Sequence, residues 1–351
     1  MKNSGLVLIT GHYFVFNRQH DHDTDEISRM TMPMHSSSSY IDDANTNDYF
    51  FALLRVEYNG RNYGGWQRQG KIGANVVRLS SVQATLEGAL SQLCCSSSEG
   101  VVCVQVSGRT DKGTHALDQQ CAFRLPNQRF LNDAFLSNLN QILQPKEIHV
   151  LDCVSVPSNL RQIFVKKRYV YLIHQPNTCI TTALRNSGAN NKQEHGIPLL
   201  RHYSWYVPKK LNVEAIRVAL SYFHGTHDFQ YVSNEAKRTN TIRTISKSMI
   251  HKVIDFKTEL PMFQNLANLD IGNDTAKDEF LVIEFEANGF LQHQVRRMVA
   301  ILRLIGEGTW DPDMVHSILQ GMEYKVPASA PSRGLYLSKV WRQGEEGSTI
   351  T

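Results

Sequence analysis

VQVSGRTDKGTHALDQQCAF, residues 104–123, sets a polar loop bounded by Gly108 and Gly113 between two apolar runs. The runs extend to Val101–Val106 and Gln119–Leu125 and read as strands, so the loop joins two strands. Asp111 lies in it with Arg109 and Lys112 within two positions, and the glycines let the backbone turn tightly and approach a ligand. A carboxylate so placed is expected to stay ionised at neutral pH. Taken alone, Gly-Arg-Thr-Asp reads as a surface turn with a solvated ion pair, so the rest of the chain must decide.

Upstream, Tyr49–Tyr58 is an apolar, aromatic strand ending at the turn signal Asn59-Gly60. Leu79–Leu93 spaces Val82, Leu86, Ala89, Leu90 and Leu93 along one helical face behind Ser80 or Ser81 as N-cap. Downstream come a helix at Leu131–Leu143 and strands at Ile148–Val156 and Arg168–His174. The order strand, helix, strand, strand, helix, strand is that of a ferredoxin-like unit. After Gln175–Leu200, a loop rich in Asn, Thr, Gly and Gln, the rhythm returns. It gives helix Val213–Phe223, strands near Thr241–Phe256 and Phe280–Ala287, helices Phe290–Ile305 and Pro312–Gln320, and strand Leu335–Trp341. The expected fold is therefore α+β, with two ferredoxin-like halves whose antiparallel sheets lie side by side and leave a central cleft.

At 351 residues with 41% hydrophobic and 20% charged side chains, the composition is that of a globular protein with a sizeable core. The net charge of +4 hides an asymmetry: residues 1–48 hold three basic against seven acidic side chains, leaving 34 against 26 on the remainder. That excess suits a polyanionic partner. The first 48 residues lack a strand or helix period and read as a mobile extension, and the His20-Asp21-His22-Asp23 cluster there lacks the framework that fixes metal ligands. No apolar run approaches the length of a membrane span, and the six cysteines include no Cys-x-x-Cys pair or zinc spacing. They read as reduced structural thiols of an intracellular protein.

Five further segments bear on chemistry. Tyr58–Gln69 is a glycine-rich turn with Trp66 tucked into the core. Arg161 and Lys166–Tyr171 interleave four cations with Tyr169 and Tyr171, which share one strand face, an arrangement suited to RNA phosphates and a stacked base. Phe223–Phe229 reads as a helix end at Gly225 with a packed Phe229. Asn288–Val299 leads into an amphipathic helix with Leu291, Val295, Met298, Leu302 and Ile305 inward and Arg297 and Arg303 solvated, and Ala330–Leu337 forms the last strand.

With the Gly-Arg-Thr-Asp-x-Gly-x-His-Ala loop, these segments resemble, in order and together, the motifs of the TruA family of tRNA pseudouridine synthases. There are two departures: Asn59 stands where the family commonly has Asp, and Gln162-Ile163-Phe164 replaces Phe-Ser-Ala. The resemblance implies that Asp111 is the nucleophile, that Arg109 holds or replaces an extruded nucleotide, that Tyr169 stacks on the target uracil, and that Arg296 pairs with Asp111. It implies an isomerase that breaks the N-glycosidic bond of a uridine in tRNA, rotates the base and rejoins it through carbon 5 with no cofactor or metal. Whether Asp111 attacks ribose or base stays open. The expected organisation is a mobile extension at 1–48, an N-terminal catalytic half at 49–175, a loop insertion at 176–200, a C-terminal half at 201–345 completing the cleft, and a tail at 346–351. The enzyme is expected to act in the cytoplasm, with nucleus and mitochondrion left open, without a membrane role, and to be capable of forming a homodimer. Two other readings remain: a tRNA-binding protein without chemistry, and a metal-dependent phosphohydrolase built on Asp111, His115 and Asp118.

Overall fold

A computed structural model describes residues 5–8, 13–16, 50–68, 79–94, 101–125, 133–156, 163–175, 200–234, 240–253, 279–322 and 327–349. Near the N-terminus, β1 (Gly5–Leu8) and β2 (Tyr13–Phe16) pair as an antiparallel hairpin with Gly5 opposite Phe16. These are the two short apolar patches of a segment otherwise rich in polar residues.

The first ferredoxin-like set runs β3 (Phe50–Tyr58), α1 (Val82–Cys94), β4 (Val102–Val106), β5 (His115–Leu125), α2 (Asp133–Leu143) and β6 (Ile148–Val156). Its strands lie in the order β6-β3-β5-β4, all antiparallel. The second set comprises β7 (Phe164–Gln175), the short β8 (Trp205–Tyr206), α3 (Val213–Phe223), β9 (Gly225–Asp228), β10 (Ile242–Val253), β11 (Glu279–Ala287), α4 (Gln294–Gly306), α5 (Met314–Leu319) and β12 (Leu335–Arg342). Its order is β12-β7-β11-β10-β9, so each set repeats the same pattern with its fourth strand beside its first. The sets merge into one sheet where β12 pairs in parallel with β5, Tyr336 opposite His115 and Leu337 opposite Ala116. The fold is thus α+β, as the element order predicts. Proximity in sequence grouped β7 with the first half, whereas its hydrogen bonds run to β11 and β12.

The helices start where capping chemistry dictates. Ser81 Oγ accepts the Ala84 N–H at 3.1 Å, and Asn212 Oδ1 accepts from Glu214 and Ala215 at 3.1 Å each, caps worth about 1 kcal/mol apiece. Leu86 and Leu90 of α1, Leu139 of α2, Phe223 of α3 and Met298 and Leu302 of α4 share one core with alternate strand residues Leu54, Val56, Tyr171, Ile283 and Phe285. One face of the sheet is therefore helix-covered around its centre. Among the described residues, no helix is long and apolar enough to cross a membrane. Most of the Gln175–Leu200 loop and the Lys257–Glu279 loop fall outside the described residues, as do Arg161 and the His20–Asp23 cluster.

Candidate active site

The loop carrying Asp111 is held on its N-terminal side by buried polar groups. Ser107 Oγ donates to Gln119 Oε1 at 2.6 Å, Gln119 Nε2 donates to the Gly108 carbonyl at 2.9 Å, and the Tyr58 hydroxyl meets Thr110 Oγ1 at 2.7 Å. The glycine-rich turn after β3 forms its floor. Gly65, at φ 107°, brings the backbone so close that a Cβ there would lie 2.8 Å from the Thr110 carbonyl oxygen, and Trp66 N–H donates to that oxygen at 3.0 Å. A Cβ on Gly60 would fall 2.0 Å from the Thr114 carbonyl oxygen. The turn therefore supports the Asp111 loop through backbone contact that only glycine permits, and Trp66 is buried beneath it at 1% exposure.

Asp111 itself keeps a quarter of its side chain exposed. Arg296 Nη1 donates to Asp111 Oδ2 at 3.2 Å while its Nε donates to the Ala330 carbonyl at 2.7 Å, and Ala330 N–H returns a bond to the Arg296 carbonyl at 3.0 Å. The guanidinium is thus locked by the strand-leading segment of β12 before it reaches the carboxylate. His293 brings a second nitrogen, Nε2, to 3.4 Å from the same Oδ2. Its role was not anticipated, because an uninterrupted helix from Phe290 would have made it one more helical side chain. Instead α4 starts at Gln294 and His293 takes the left-handed conformation, φ 61°. The sequence signal available was a histidine three residues before Arg296 in a glycine-containing lead-in.

Tyr169 is buried, with its ring edge-on to Phe290 at 5.2 Å, and both line the same cavity as Asp111. Burial, then the neighbouring Tyr58 and Asp111, raise the Tyr169 phenol, which stays protonated. Arg109 lies exposed on the cavity rim with no ion-pair partner among the described residues. The cavity measures about 1530 Å³. That is larger than the roughly 300–1,000 Å³ of a drug-sized ligand site. Six cations line it, Arg61, Arg68, Arg109, Lys112, Arg296 and Arg333, against the single carboxylate of Asp111. Such a wall selects a polyanion and leaves one carboxylate to do chemistry.

Two sequence expectations are corrected. His115 and Asp118 do not join Asp111 in a metal site. His115 Nδ1 accepts the Gly60 N–H at 3.2 Å, its Nε2 lies 3.2 Å from the His202 carbonyl, and its ring stacks on Tyr336 at 4.7 Å. Burial pushes its pKa down to about 4, so it is a neutral clamp between the turn and the core. Asp118 accepts from Arg55 Nε and from Val340 N–H, both at 3.0 Å, tying β12 to β5. Among the described residues, no group of three His, Cys, Asp or Glu could hold a metal. Lys166 and Arg168 do not face the cavity with Tyr169: their alternate strand positions turn them to the other face, onto Glu286 at 3.4 and 2.6 Å. Lys167, on the Tyr169 side, has its pKa lowered to about 8, first by burial and then by Arg243. Of the cations expected to be solvated on α4, Arg303 bonds Glu307 at 2.8 Å, whereas Arg297 is half-buried and its Nε has no hydrogen-bond partner among the described residues.

The family model described as tRNA pseudouridine synthase matches residues 219–341. Across the longer span the chain is similar to three proteins named tRNA pseudouridine synthase A. That of Thermotoga neapolitana is 31% identical over 288 residues, covering 81% of this chain and 96% of the relative. The Thermoanaerobacter sp. protein is 32% identical over 292 residues, 82% and 98% respectively, and the Aquifex aeolicus protein 30% over 290, also 82% and 98%. With the similarity running through both ferredoxin-like sets and the cavity between them, the chain belongs to the TruA family of tRNA pseudouridine synthases.

Proposed function

We propose that Asp111 is the nucleophile with which this tRNA pseudouridine synthase turns uridine into its carbon-linked isomer. The observation carrying the assignment is the fixed Arg296–Asp111 pair in a cavity whose other ionic side chains are cations. A uridine in a stem must leave its stack to reach Asp111, at a cost of a few kcal/mol. The basic cavity wall offsets that cost by holding the flanking phosphates, and Arg109, exposed on the rim two residues before Asp111, occupies or props the vacated position. Tyr169 presents its ring to the extruded uracil, and its protonated hydroxyl adds no charge to the pocket.

The carboxylate forms a covalent bond to the nucleoside, at the ribose or at the base, and the N-glycosidic bond breaks. The uracil turns, carbon 5 bonds to the ribose carbon, carbon 5 gives up its proton while the freed N1 takes one up, and the carboxylate is released unchanged. No electrons are gained or lost, so the reaction needs no redox partner. Cytoplasmic location and pairing of two copies complete the proposal; imaging of the tagged chain and sedimentation of the pure protein check them.

Pseudouridine mapping of unmodified tRNA transcripts incubated with the purified chain tests the reading. Conversion at defined positions, unchanged by chelator and weakened by salt, is expected. Salt-sensitive tRNA binding without conversion would favour a binding protein, and loss of conversion in chelator would revive metal-dependent chemistry.

A further inference from the structure

We infer that His293 is a positioning residue for Asp111, holding one carboxylate oxygen so that the other is presented to the nucleoside. The inference rests on the tRNA pseudouridine synthase reading and extends it to a residue that composition and helix periodicity did not single out.

The ring is anchored through Nδ1 and its Nε2 faces Asp111. Asn234 Nδ2 lies 2.8 Å from His293 Nδ1, and Asn234 is itself held by its backbone N–H donating to the Gln292 carbonyl at 3.0 Å. With the amide donating to Nδ1, the ring proton sits on Nε2, which faces Asp111 Oδ2 at 3.4 Å. Arg296 Nη1 meets the same oxygen at 3.2 Å. Arg296 thus bonds Oδ2 and the His293 Nε2 sits beside the same oxygen, and among the described residues none bonds Oδ1. A carboxylate gripped through one oxygen cannot spin, and its second oxygen keeps its lone pairs for attack.

The backbone supports the assignment. His293 holds a left-handed φ of 61° immediately before α4 and makes no capping bond to the helix. A non-glycine residue in this region is strained, and here the conformation swings the ring out of the helical row and toward Asp111. The charged groups around it are Asp111 on the loop before β5 and Arg296 and Arg297 on α4. Burial first, and the two arginines after the opposing pull of Asp111, lower the imidazole pKa from its ordinary value, keeping the ring a neutral donor near pH 7.

The test separates position from stability. Asparagine accepts left-handed backbone but is too short to reach Asp111, so His293→Asn should keep or raise the melting temperature. The same variant should lower the single-turnover isomerisation rate about 100-fold with little change in tRNA affinity. His293→Gln, which reaches the carboxylate with an N–H, should recover much of the rate. His293→Asn within twofold of wild type at every pH would overturn the inference, as would a loss seen only in tRNA affinity. Inactive wild-type protein would instead indict the functional reading beneath it.

Discussion

Strand β7 passes between two carboxylates that are both surrounded by cations, and they do opposite things. On one face Glu286 receives Lys166 at 3.4 Å, Arg168 at 2.6 Å and Lys247 at 3.9 Å, with buried Glu284 adding a second acid 3.5 Å from Lys247. Trp341 lies under Lys166 and Arg168, 4.4 and 5.2 Å from its ring centre. On the other face Asp111 takes one guanidinium and one imidazole, in a cavity lined by six cations of which Arg68 pairs with Glu87 behind the wall. In the first cluster every one of the three cations has a carboxylate partner, so it is finished as a structure. The second has an excess of positive charge and a partly exposed carboxylate, so it is completed only by a polyanion.

The largest effect that would break this contrast is at Asp111. Asp111→Ala should reduce conversion of tRNA uridine by at least about 10³-fold with the fold intact, measured by pseudouridine mapping beside a melting curve. Next is Glu286→Gln, which strands the buried charges of Lys166 and Arg168. It should cost about 3 kcal/mol of stability in denaturant unfolding and leave the rate per folded molecule near wild type.

Arg296→Lys sharpens the comparison, since a lysine cannot bond Ala330 and Asp111 through separate nitrogens of one rigid plane. A rate loss of about 10- to 100-fold, with tRNA affinity nearly kept, is expected in single-turnover assays. The most gradual effect is the pH response of His115. Its folded value near 4 lies below the ordinary 6.5, so between these the unfolded chain binds the extra proton and stability falls as pH drops from about 6.5 towards 4. The slope is at most about 1.4 kcal/mol per pH unit for one proton. Melting temperatures from pH 7 to 4 should fall less steeply in His115→Gln than in wild type.

How much of this was legible depended on distance along the chain. Asp111, Gly108 and Gly113 stand within six positions, and their chemistry could be read directly. The alternation in β7 correctly separates Tyr169 and Tyr171 from Lys166 and Arg168. It cannot say that Glu286, 118 residues beyond Arg168, waits on the second face, and so those cations read as RNA ligands. The Arg296–Asp111 pair spans 185 residues and came into view only through the family's motif pattern. Hydrophobic periodicity ran the last long helix back to Phe290, because it carries no information about the single left-handed residue that aims His293. The double ferredoxin-like rhythm was readable from element order, but the placement of β7 with β11 and β12 is a matter of pairing, which sequence adjacency obscured.

The most direct test of the contrast measures Asp111→Ala and Glu286→Gln side by side, each by single-turnover isomerisation of one tRNA transcript and by unfolding free energy. Asp111→Ala should lose the reaction and keep the stability, and Glu286→Gln should lose stability and keep the reaction per folded molecule. A nearly wild-type rate in Asp111→Ala, or a fully stable but inactive Glu286→Gln, would contradict the division of the sheet into an internally paired structural face and a cation-rich catalytic one.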